Sequence, residues 1–220
     1  MNWFRSPPSL PSLPTPSQWI PIEKNGSYQR IPALEFEKMT GARFIPQLDF
    51  ESALLLTRLI RQSKKLYAAG EFSRKQLWLG SYFCQEVLSF PIPDVTLRYI
   101  DSSLGWGVFA ARDFKEMEFI SEYAGKVRKR RWSDKKNAYC FEYLVASGHS
   151  TSYVIDACGQ GGIGRYINHS FTPNLISALV TIDHVSHVIL VTHQRIPKGT
   201  QLSFDYGATY WKDRLAPRTI

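Results

Sequence analysis

Cysteine is scarce in this chain of 220 residues, which contains only Cys84, Cys140 and Cys158. No two of them stand at the C-x-x-C spacing of structural zinc sites, which argues against a metal site built mainly from cysteine. An odd and sparse set also suits a reducing compartment better than a framework of disulfides. We therefore interpret the cysteines as small buried apolar side chains and expect no metal.

Long apolar stretches are also missing. No segment approaches the roughly 18 uninterrupted apolar residues of a membrane-spanning helix, so we expect no membrane contact. The N-terminus lacks the charged, apolar and small-residue order of a Sec signal peptide. Export by a non-Sec route stays open, because the leader is rich in serine and proline.

Charge is predominantly of one sign, with a formal net charge of +8. A basic balance of this size favours contact with polyanions, of which nucleic acid and an acidic membrane surface are the usual ones. A solvated basic surface that keeps the protein in solution explains the same number. The net charge therefore indicates which kinds of partner the protein could contact, but it does not indicate which reaction the protein catalyses.

The first 93 residues divide into two parts. Residues 1–21 contain six prolines among serines and threonines, which predicts an extended or disordered leader. Residues 22–93 predict a helical extension. Asp49 is a candidate cap for a leucine-rich run that Gly70 would end.

A second helical run follows at Ser73 and Gln76, which have capping-box spacing, and Pro91 and Pro93 would end it. We expect the two amphipathic helices to pack on each other, on the following domain, or on another subunit in a homo-oligomer.

From Val95 onward, the sequence pattern is typical of a mainly β domain. Short segments rich in β-branched and aromatic residues alternate with Gly, Asp, Asn and Pro turns. The predicted strands are Val95–Ile100, Gly107–Ala110, Glu118–Glu122, Ser152–Ile155, His187–Thr192 and Leu202–Phe204.

Four short motifs occur in a fixed order within this domain. They are Gly105-Trp106-Gly107, then Glu122-Tyr123-Ala124-Gly125, then Arg165-Tyr166-Ile167-Asn168-His169-Ser170-Phe171-Thr172-Pro173-Asn174, then Leu202-Ser203-Phe204-Asp205-Tyr206-Gly207. A G-x-G or Y-x-G alone is weak, since glycine pairs in turns are common. The Asn-His segment is more distinctive, because a plain loop seldom needs so many special side chains.

Together the motifs resemble those of the SET-domain protein lysine methyltransferases. The resemblance runs from about Val95 to Trp211 and includes Ala138-Tyr139-Cys140-Phe141 and Val154-Ile155-Asp156-Ala157. It implies a mainly β SET fold of small curved sheets with a pseudoknot-like threaded C-terminal segment, after a helical extension. The implied domains are 94–211 for catalysis and 212–220 for a tail. Small size and missing zinc cysteines look closest to the chlamydial SET-domain histone methyltransferases.

The resemblance also implies a methyl donor, S-adenosylmethionine (SAM), and its binding residues. Glycine lets backbone approach a ligand closely, and an asparagine amide can both donate and accept hydrogen bonds, as a SAM amino or carboxylate group requires. The backbone at position 169 would pair with adenine. The implied cofactor-binding residues are Gly105, Trp106, Gly107, Tyr139, Arg165, Asn168 and His169.

Tyr206, Tyr123 and Phe204 are the implied catalytic residues. A free lysine has a pKa near 10.4, so neutralising it near pH 7.4 costs about 4 kcal/mol, three units of roughly 1.36 each. A nearby cation and removal from water both lower that pKa, whereas a tyrosine hydroxyl alone cannot supply this energy. Tyr206 would orient the amine, and whether it accepts the proton stays open. Tyr123 would hydrogen-bond the same nitrogen.

Phe204 stands where the family sets the number of methyl groups. Phenylalanine has no hydroxyl to hold a water or the amine, so di- or trimethyllysine is the expected product.

Two departures from the family pattern concern closure of the lysine channel. Phe171 replaces a frequent cysteine, and no cysteine follows Tyr206. The nearest aromatic residues for this task are Tyr210 and Trp211.

Basic residues crowd the segment Lys126–Lys136, relieved by Asp134. We expect this run to be exposed, either as a solvated loop, as a contact to DNA phosphates, or as a nuclear-import signal.

The favoured function is SAM-dependent methylation of a lysine in a histone or histone-like DNA-packaging protein. One alternative is a non-catalytic scaffold that binds chromatin or DNA, and another is a lysine methyltransferase for a non-chromatin protein. A bacterial cytoplasm and secretion into a host nucleus, as for a bacterial effector, both agree with the composition.

Overall fold

A computed structural model describes residues 18–24 and 26–211, except for the side chain of Thr209. The helices in these residues are α1 (Ala33–Thr40), α2 (Ala53–Ala68), α3 (Arg74–Tyr82), α4 (Cys84–Ser89) and α5 (Ala208–Trp211), and two 3-10 turns span Trp132–Lys136 and Ile163–Tyr166.

The strands are short. They are β1 (Trp19–Lys24), β2 (Ser27–Pro32), β3 (Arg43–Phe44), β4 (Asp49–Phe50), β5 (Val95–Asp101), β6 (Gly105–Ala110), β7 (Phe119–Glu122), β8 (Lys126–Lys129), β9 (Cys140–Ala146), β10 (His149–Asp156), β11 (Gln160–Gly161), β12 (Asn168–His169), β13 (Leu175–Ile182), β14 (Val185–Thr192) and β15 (Ser203–Phe204).

These strands form several small sheets. The orders are β2-β1-β5-β6, β4-β8-β10-β9, β13-β14-β7, and the pairs β11-β3 and β12-β15. Strands from the first 50 residues run parallel to later ones: Ile22 lies opposite Leu97, and Asp49 lies opposite Lys126. The N-terminal segment therefore completes sheets of the later domain, and the expectation of a purely helical segment at 22–93 is corrected.

Each of the six predicted strands coincides with an observed strand. The strands of the first 50 residues, β1 to β4, and five later ones, β8, β9, β11, β12 and β13, were not among those predicted. The omission of β8 is an error of substance, because the basic run was expected to be an exposed loop. Lys126–Lys129 instead form a strand between β4 and β10, and the side chains of Val127 and Arg128 are buried.

Helix α2 matches the predicted leucine-rich run but begins at a different cap. The Ser52 hydroxyl accepts a hydrogen bond from the Leu55 amide at 3.1 Å. The prediction that Asp49 is the cap is therefore wrong, because Asp49 lies in β4. Gly70, at φ 74°, follows the end of the helix as predicted.

The second predicted run is divided into α3 and α4. Ser73 caps α3 by accepting from the Gln76 amide at 3.1 Å. The reciprocal half of a capping box is replaced by a tertiary contact, since Gln76 Nε2 donates to the Val145 carbonyl and to Thr181 Oγ1.

The boundary of the predicted leader also shifts. Trp19–Pro21 lie in β1, paired with Pro32, Ile31 and Arg30 of β2, and so are not disordered. Residues 1–17 of the predicted leader and the predicted tail at 212–220 lie outside the described residues. In the described part of the chain, no helix has the length and apolar character that crossing a bilayer requires.

The helices pack on the sheets that follow them, which is one of the three arrangements expected from the sequence. Leu55, Leu56 and Leu59 of α2 join the main apolar core with Tyr143 and Val145 of β9. A second core forms where α3 and α4 cover β13 and β14, through Leu79, Phe83, Val87, Val180 and Ile189. Burial of these side chains is the principal stabilising contribution of the helices.

Close approach of α3 to β13 depends on Gly80. A Cβ at this position would overlap the carbonyl oxygen of Thr181. We expect Gly80→Ala to lower the free energy of unfolding by about 2 kcal/mol despite its better helix propensity, because backbone atoms cannot move aside. Urea denaturation followed by circular dichroism measures this. Gly159→Ala, which has open space around it, serves as the control, and equal stability of both variants would contradict the packing argument.

Candidate active site

The third and fourth motifs meet in a short parallel pair of strands. Asn168 lies opposite Ser203, and His169 lies opposite Phe204. The Ser170 amide extends the pairing by donating to the Phe204 carbonyl at 3.3 Å. Residues more than thirty positions apart are thus adjacent in space.

Asn174 holds this junction from the side. Its Oδ1 accepts from the Ser203 amide at 2.9 Å, and its Nδ2 donates to the Gln201 carbonyl at 2.8 Å. The residue is 8% exposed. The sequence showed Asn174 only as the last member of a motif. Its positioning role became visible only from the fold.

The three predicted catalytic residues share one aromatic cluster. The ring centroids of Phe204 and Tyr206 are 4.7 Å apart, and those of Tyr123 and Phe204 are 6.5 Å apart. Phe141 adds a fourth ring, 5.3 Å from Tyr123. The surroundings of both tyrosine hydroxyls are therefore largely apolar.

Both tyrosine hydroxyls donate to backbone carbonyls. Tyr123 Oη donates to the Tyr139 carbonyl at 3.1 Å, and Tyr206 Oη donates to the Ile167 carbonyl at 2.8 Å. Burial raises the pKa of both phenols, most strongly for Tyr123. Each hydroxyl is consequently neutral near pH 7, and the lone pairs on its oxygen remain able to accept.

Asn168 connects the junction to the first motif. Its Nδ2 donates to the Trp106 carbonyl at 3.3 Å. Gly105 has φ 67°, which favours glycine, and open space where a Cβ would lie. At position 107 a Cβ would lie 2.7 Å from Ile100 Cδ1, the end of a flexible side chain that can move aside. The role of Gly107 in cofactor binding stays a prediction.

The Arg165 guanidinium lies over the Tyr139 ring. The guanidinium carbon lies 4.1 Å from the Tyr139 ring centroid and 4.9 Å from that of Tyr166. Arg165 also donates to the carbonyls of Ala157 at 2.6 Å and Cys158 at 3.1 Å. Arg165 therefore braces the bend before the Asn-His motif and holds the Tyr139 ring in place.

His169 is buried, at 5% exposed, and burial lowers its pKa. Its Nδ1 accepts from the Tyr206 amide at 3.2 Å, so the proton of the neutral ring is on Nε2. Among the described residues no acceptor meets Nε2. The imidazole thus joins the Asn-His motif directly to Tyr206 and leaves one buried donor unsatisfied among the described residues.

Helix α5 covers the tyrosine side of this cluster. The ring of Trp211 lies 4.7 Å from that of His169 and is nearly parallel to Tyr206, at 7° and 6.3 Å. Tyr210 contacts Tyr206 edge to face at 4.8 Å. Tyr210 and Trp211 thus contact the predicted catalytic residue Tyr206. That they close a lysine channel stays a prediction.

A buried ion network beside the site was not foreseen. Arg128 donates to Asp134 at 2.7 and 2.9 Å and to Asp156 at 2.7 and 2.9 Å. The Arg128 hydrogen bond holds the pKa of Asp134 below its usual value. Asp156 in turn accepts from Asn137 Nδ2, and Asn137 Oδ1 accepts from the Tyr139 amide. The network therefore orders the segment that carries Tyr139.

The part of the chain that the structure describes contains no evident cluster of metal ligands. No group of three or more His, Cys, Asp or Glu side chains there is arranged to hold a metal ion.

Comparison with known proteins places this site in a family context. Residues 105–207, a little under half of the chain, match the family model of the SET domain. Histone-lysine N-methyltransferase 2D of Homo sapiens is 32% identical over 117 residues, Su(var)3-9 of Drosophila melanogaster 33% over 127, and Set8 of Drosophila pseudoobscura pseudoobscura 38% over 112. The chain therefore contains a SET domain homologous to histone-lysine methyltransferases.

These relatives are much larger than the matching segment. The alignments cover 50%, 52% and 47% of this chain but only 2%, 20% and 16% of the three relatives. A crystal structure of Arabidopsis thaliana SUVH6 in complex with SAM has 28% sequence identity and a TM-score of 0.44, covering 51% of this chain and 27% of that chain.

Proposed function

We propose that this protein transfers methyl groups from SAM to a lysine side chain of a protein. The observation that carries the proposal is the junction of β12 and β15. On one side of the junction, Asn168 and His169 lie next to Trp106. On the other side, Phe204 and Tyr206 lie next to Tyr123. A methyl transfer needs these two sides to be adjacent, because donor and acceptor must lie in line.

The donor set on the Asn168 side fits SAM. The Asn168 amide and the Trp106 carbonyl suit the charged amino-acid end, and the pair of Tyr139 and Arg165 provides a cation and an aromatic face. At the junction between the two sides, where the rings of His169 and Trp211 are in contact, His169 Nε2 and Trp211 Nε1 are buried polar atoms without partners among the described residues. A site made for a polar ligand would have such atoms. When bound, SAM supplies a methyl group on a sulfonium cation.

The tyrosine side receives the amine. Tyr123 and Tyr206 already donate their hydroxyl protons to carbonyls, so toward the amine they act as acceptors. The raised pKa of each phenol disfavours a tyrosinate. We therefore assign Tyr206 the role of orienting a neutral amine, with deprotonation driven by the apolar surroundings and the cationic donor.

Loss of the Tyr206 hydroxyl tests this assignment. We expect Tyr206→Phe to lower methyl transfer from radiolabelled SAM to histones or bacterial DNA-packaging proteins by about 100-fold, while SAM binding persists. Tyr67→Phe, an exposed tyrosine on α2, is the matched control. Wild-type protein that binds SAM but labels no protein would instead support the non-catalytic scaffold.

Phe204 is proposed to permit multiple methylation. Its buried ring contacts both tyrosines and carries no hydroxyl. We expect the wild type to form di- or trimethyllysine and Phe204→Tyr to shift the product toward monomethyllysine. Mass spectrometry of the labelled peptide measures the distribution. A wild type that stops at monomethyllysine contradicts the assignment.

The basic run is proposed to contact DNA, through fewer residues than the sequence suggested. Arg128 is committed to its buried ion network, and Arg130 is 3.2 Å from Glu142. Trp132 is 86% exposed, and Lys135 Nζ lies 5.7 Å from the centroid of its ring. Lys129, Arg131 and Lys136 are exposed in the same segment. Exposed cations with an exposed aromatic ring suit phosphate contacts with base stacking.

Salt dependence of DNA binding tests this surface. Replacing Lys129, Arg131 and Lys136 by glutamine should reduce the slope of log K against log salt by about 2 to 3, at roughly 0.9 per phosphate contact. The same replacements at Arg61, Lys64 and Lys65 on α2 change the net charge equally and should leave the slope intact. Equal losses in both variants would show that only overall charge matters.

Several further assignments belong to the same proposal. A histone or histone-like substrate is supported by the homologous region and by the basic charge. A non-chromatin substrate remains the second candidate. We also propose that this is a chlamydial-type bacterial protein that acts in the bacterial cytoplasm or as an effector in a host nucleus. The part proposed to catalyse is 94–211, with β1, β3 and β4 completing its sheets. The helices of the N-terminal part are proposed to pair with a second copy. Pseudoknot-like threading of the C-terminal segment is supported by the parallel pairing of β12 with β15.

A further inference from the structure

Residues 33–45 precede the segment 105–207 that matches the family model of the SET domain. They contain α1, which ends before Gly41 at φ 71°, and β3, and we call them the α1–β3 unit. Glu37 connects the two parts, since its Oε1 accepts from the Phe44 amide at 3.0 Å. The helix and the strand are therefore held in one arrangement.

Phe36 of α1 contacts residues of two of the sequence motifs. It is fully buried, at 0% exposed. Its ring meets Trp106 edge to face, with 5.6 Å between the centroids, and meets Tyr166 in the same way at 5.2 Å. Trp106 lies in the G-x-G motif, and Tyr166 lies in the motif that continues to Asn168. One side chain from outside the family match thus contacts both of these motifs.

The Trp106 ring also has an aromatic contact on its partner strand. Tyr99 of β5 lies opposite Trp106 of β6, and their ring centroids are 5.9 Å apart. Tyr99 is 54% exposed, whereas Phe36 is fully buried. Buried side chains are close-packed and have little room to move. Phe36 therefore gives Trp106 the more rigid of these two contacts.

The backbone around Trp106 requires support of this kind. Gly105 and Gly107 flank the tryptophan, and glycine loses more conformational freedom on ordering than any other residue. The Trp106 carbonyl also accepts from Asn168 Nδ2, so its position affects the amide that is proposed to hold SAM. A site that is already ordered binds its ligand more tightly, because less freedom is lost on binding.

Strand β3 supports the segment before the Asn-His motif. The Arg43 amide donates to the Gly159 carbonyl at 3.0 Å. The Ile45 amide donates to the Gly161 carbonyl at 3.1 Å. Gly161 lies against Arg165, since a Cβ on this glycine would be 3.0 Å from Arg165 Cδ. The α1–β3 unit therefore also positions the bend that Arg165 braces.

We infer that the α1–β3 unit is part of the SAM site and that Phe36 is a positioning residue, which orders the Trp106 segment without touching the cofactor. The inference rests on the proposed function, because it takes the Trp106 side of the junction as the place of SAM. It assigns binding to the unit and leaves the chemistry to the tyrosine side. Loss of Phe36 should therefore weaken SAM binding and leave the methyl-transfer step nearly unchanged.

Phe36→Leu tests the inference in the full chain. We expect the Kd for SAM, measured by isothermal titration calorimetry, to rise about tenfold, because the shorter side chain leaves the Trp106 segment to be ordered on binding. The KM for SAM should rise by a similar factor, with kcat changed by less than about twofold. Phe83→Leu is the matched control. Phe83 is 1% exposed in the second core, which contains none of the predicted site residues, and its replacement should leave the Kd unchanged.

Two further measurements separate positioning from a general loss of stability. In the ligand-free protein, the indole N–H resonance of Trp106, assigned with Trp106→Phe, should shift in Phe36→Leu and stay in place in Phe83→Leu. Glu37→Ala removes the link between α1 and β3 without opening the core, and it should raise the Kd for SAM about threefold. Glu35→Ala, at an exposed position of the same helix, should have no effect.

The outcomes distinguish this inference from the proposed function. Equal Kd values for SAM in the wild type, Phe36→Leu and Glu37→Ala would overturn the inference and leave the proposed function intact. An equal rise in Phe36→Leu and Phe83→Leu would also overturn it, because lost packing anywhere would then have the same effect. A lower kcat at unchanged KM in Phe36→Leu contradicts a role in binding. A wild type that binds no SAM refutes the proposed function and the inference with it.

Discussion

The parallel pairing of β12 with β15 is the contact on which the site depends. Each strand is two residues long, so the pairing alone supplies few hydrogen bonds. Asn174 compensates with both ends of its amide, which bind the Ser203 amide and the Gln201 carbonyl. A long loop must be closed before these bonds can form, and the entropy of that closure is repaid only when all of them are made together. The junction is therefore a cooperative unit.

A chain of hydrogen bonds connects the buried Arg128 guanidinium to the aromatic cluster. The Arg128 guanidinium donates to Asp156, which also accepts from Asn137 Nδ2. Asn137 Oδ1 accepts from the Tyr139 amide. The Tyr139 carbonyl in turn accepts from the Tyr123 hydroxyl. Each link is a hydrogen bond in a partly or fully buried place, where such bonds are strengthened by the low dielectric. The position of one proposed catalytic hydroxyl is thus set from Arg128 on β8, a strand that belongs to a different sheet from β7.

Sequence patterns were sufficient where structure is local and insufficient where it depends on distant partners. The six predicted strands and both helical runs were recovered because alternation, turn residues and caps such as Ser73 act over a few positions. Strand β8 was missed because its inward arginine is stabilised by Asp134 and Asp156, and a buried cation looks like an exposed one until its partners are known. The two-residue strand β4 exists only through pairing with β8, so Asp49 appeared to be a helix cap.

The candidate site itself was foreseen from ordered motifs, yet the arrangement of charge around it was not. Adjacent residues of a strand face opposite sides, so β7 directs Glu122 toward His187 while Tyr123, just after it, reaches the aromatic cluster. A buried carboxylate on the tyrosine side would raise the pKa of an incoming lysine and keep it charged. Asp205 is the acidic neighbour of Tyr206, and its side chain is 58% exposed, where water screens it. Under the proposed methyl transfer, the separation of Glu122 from Tyr123 favours a neutral amine. The same alternation leaves a buried carboxylate on the opposite side, with one oxygen unsatisfied among the described residues.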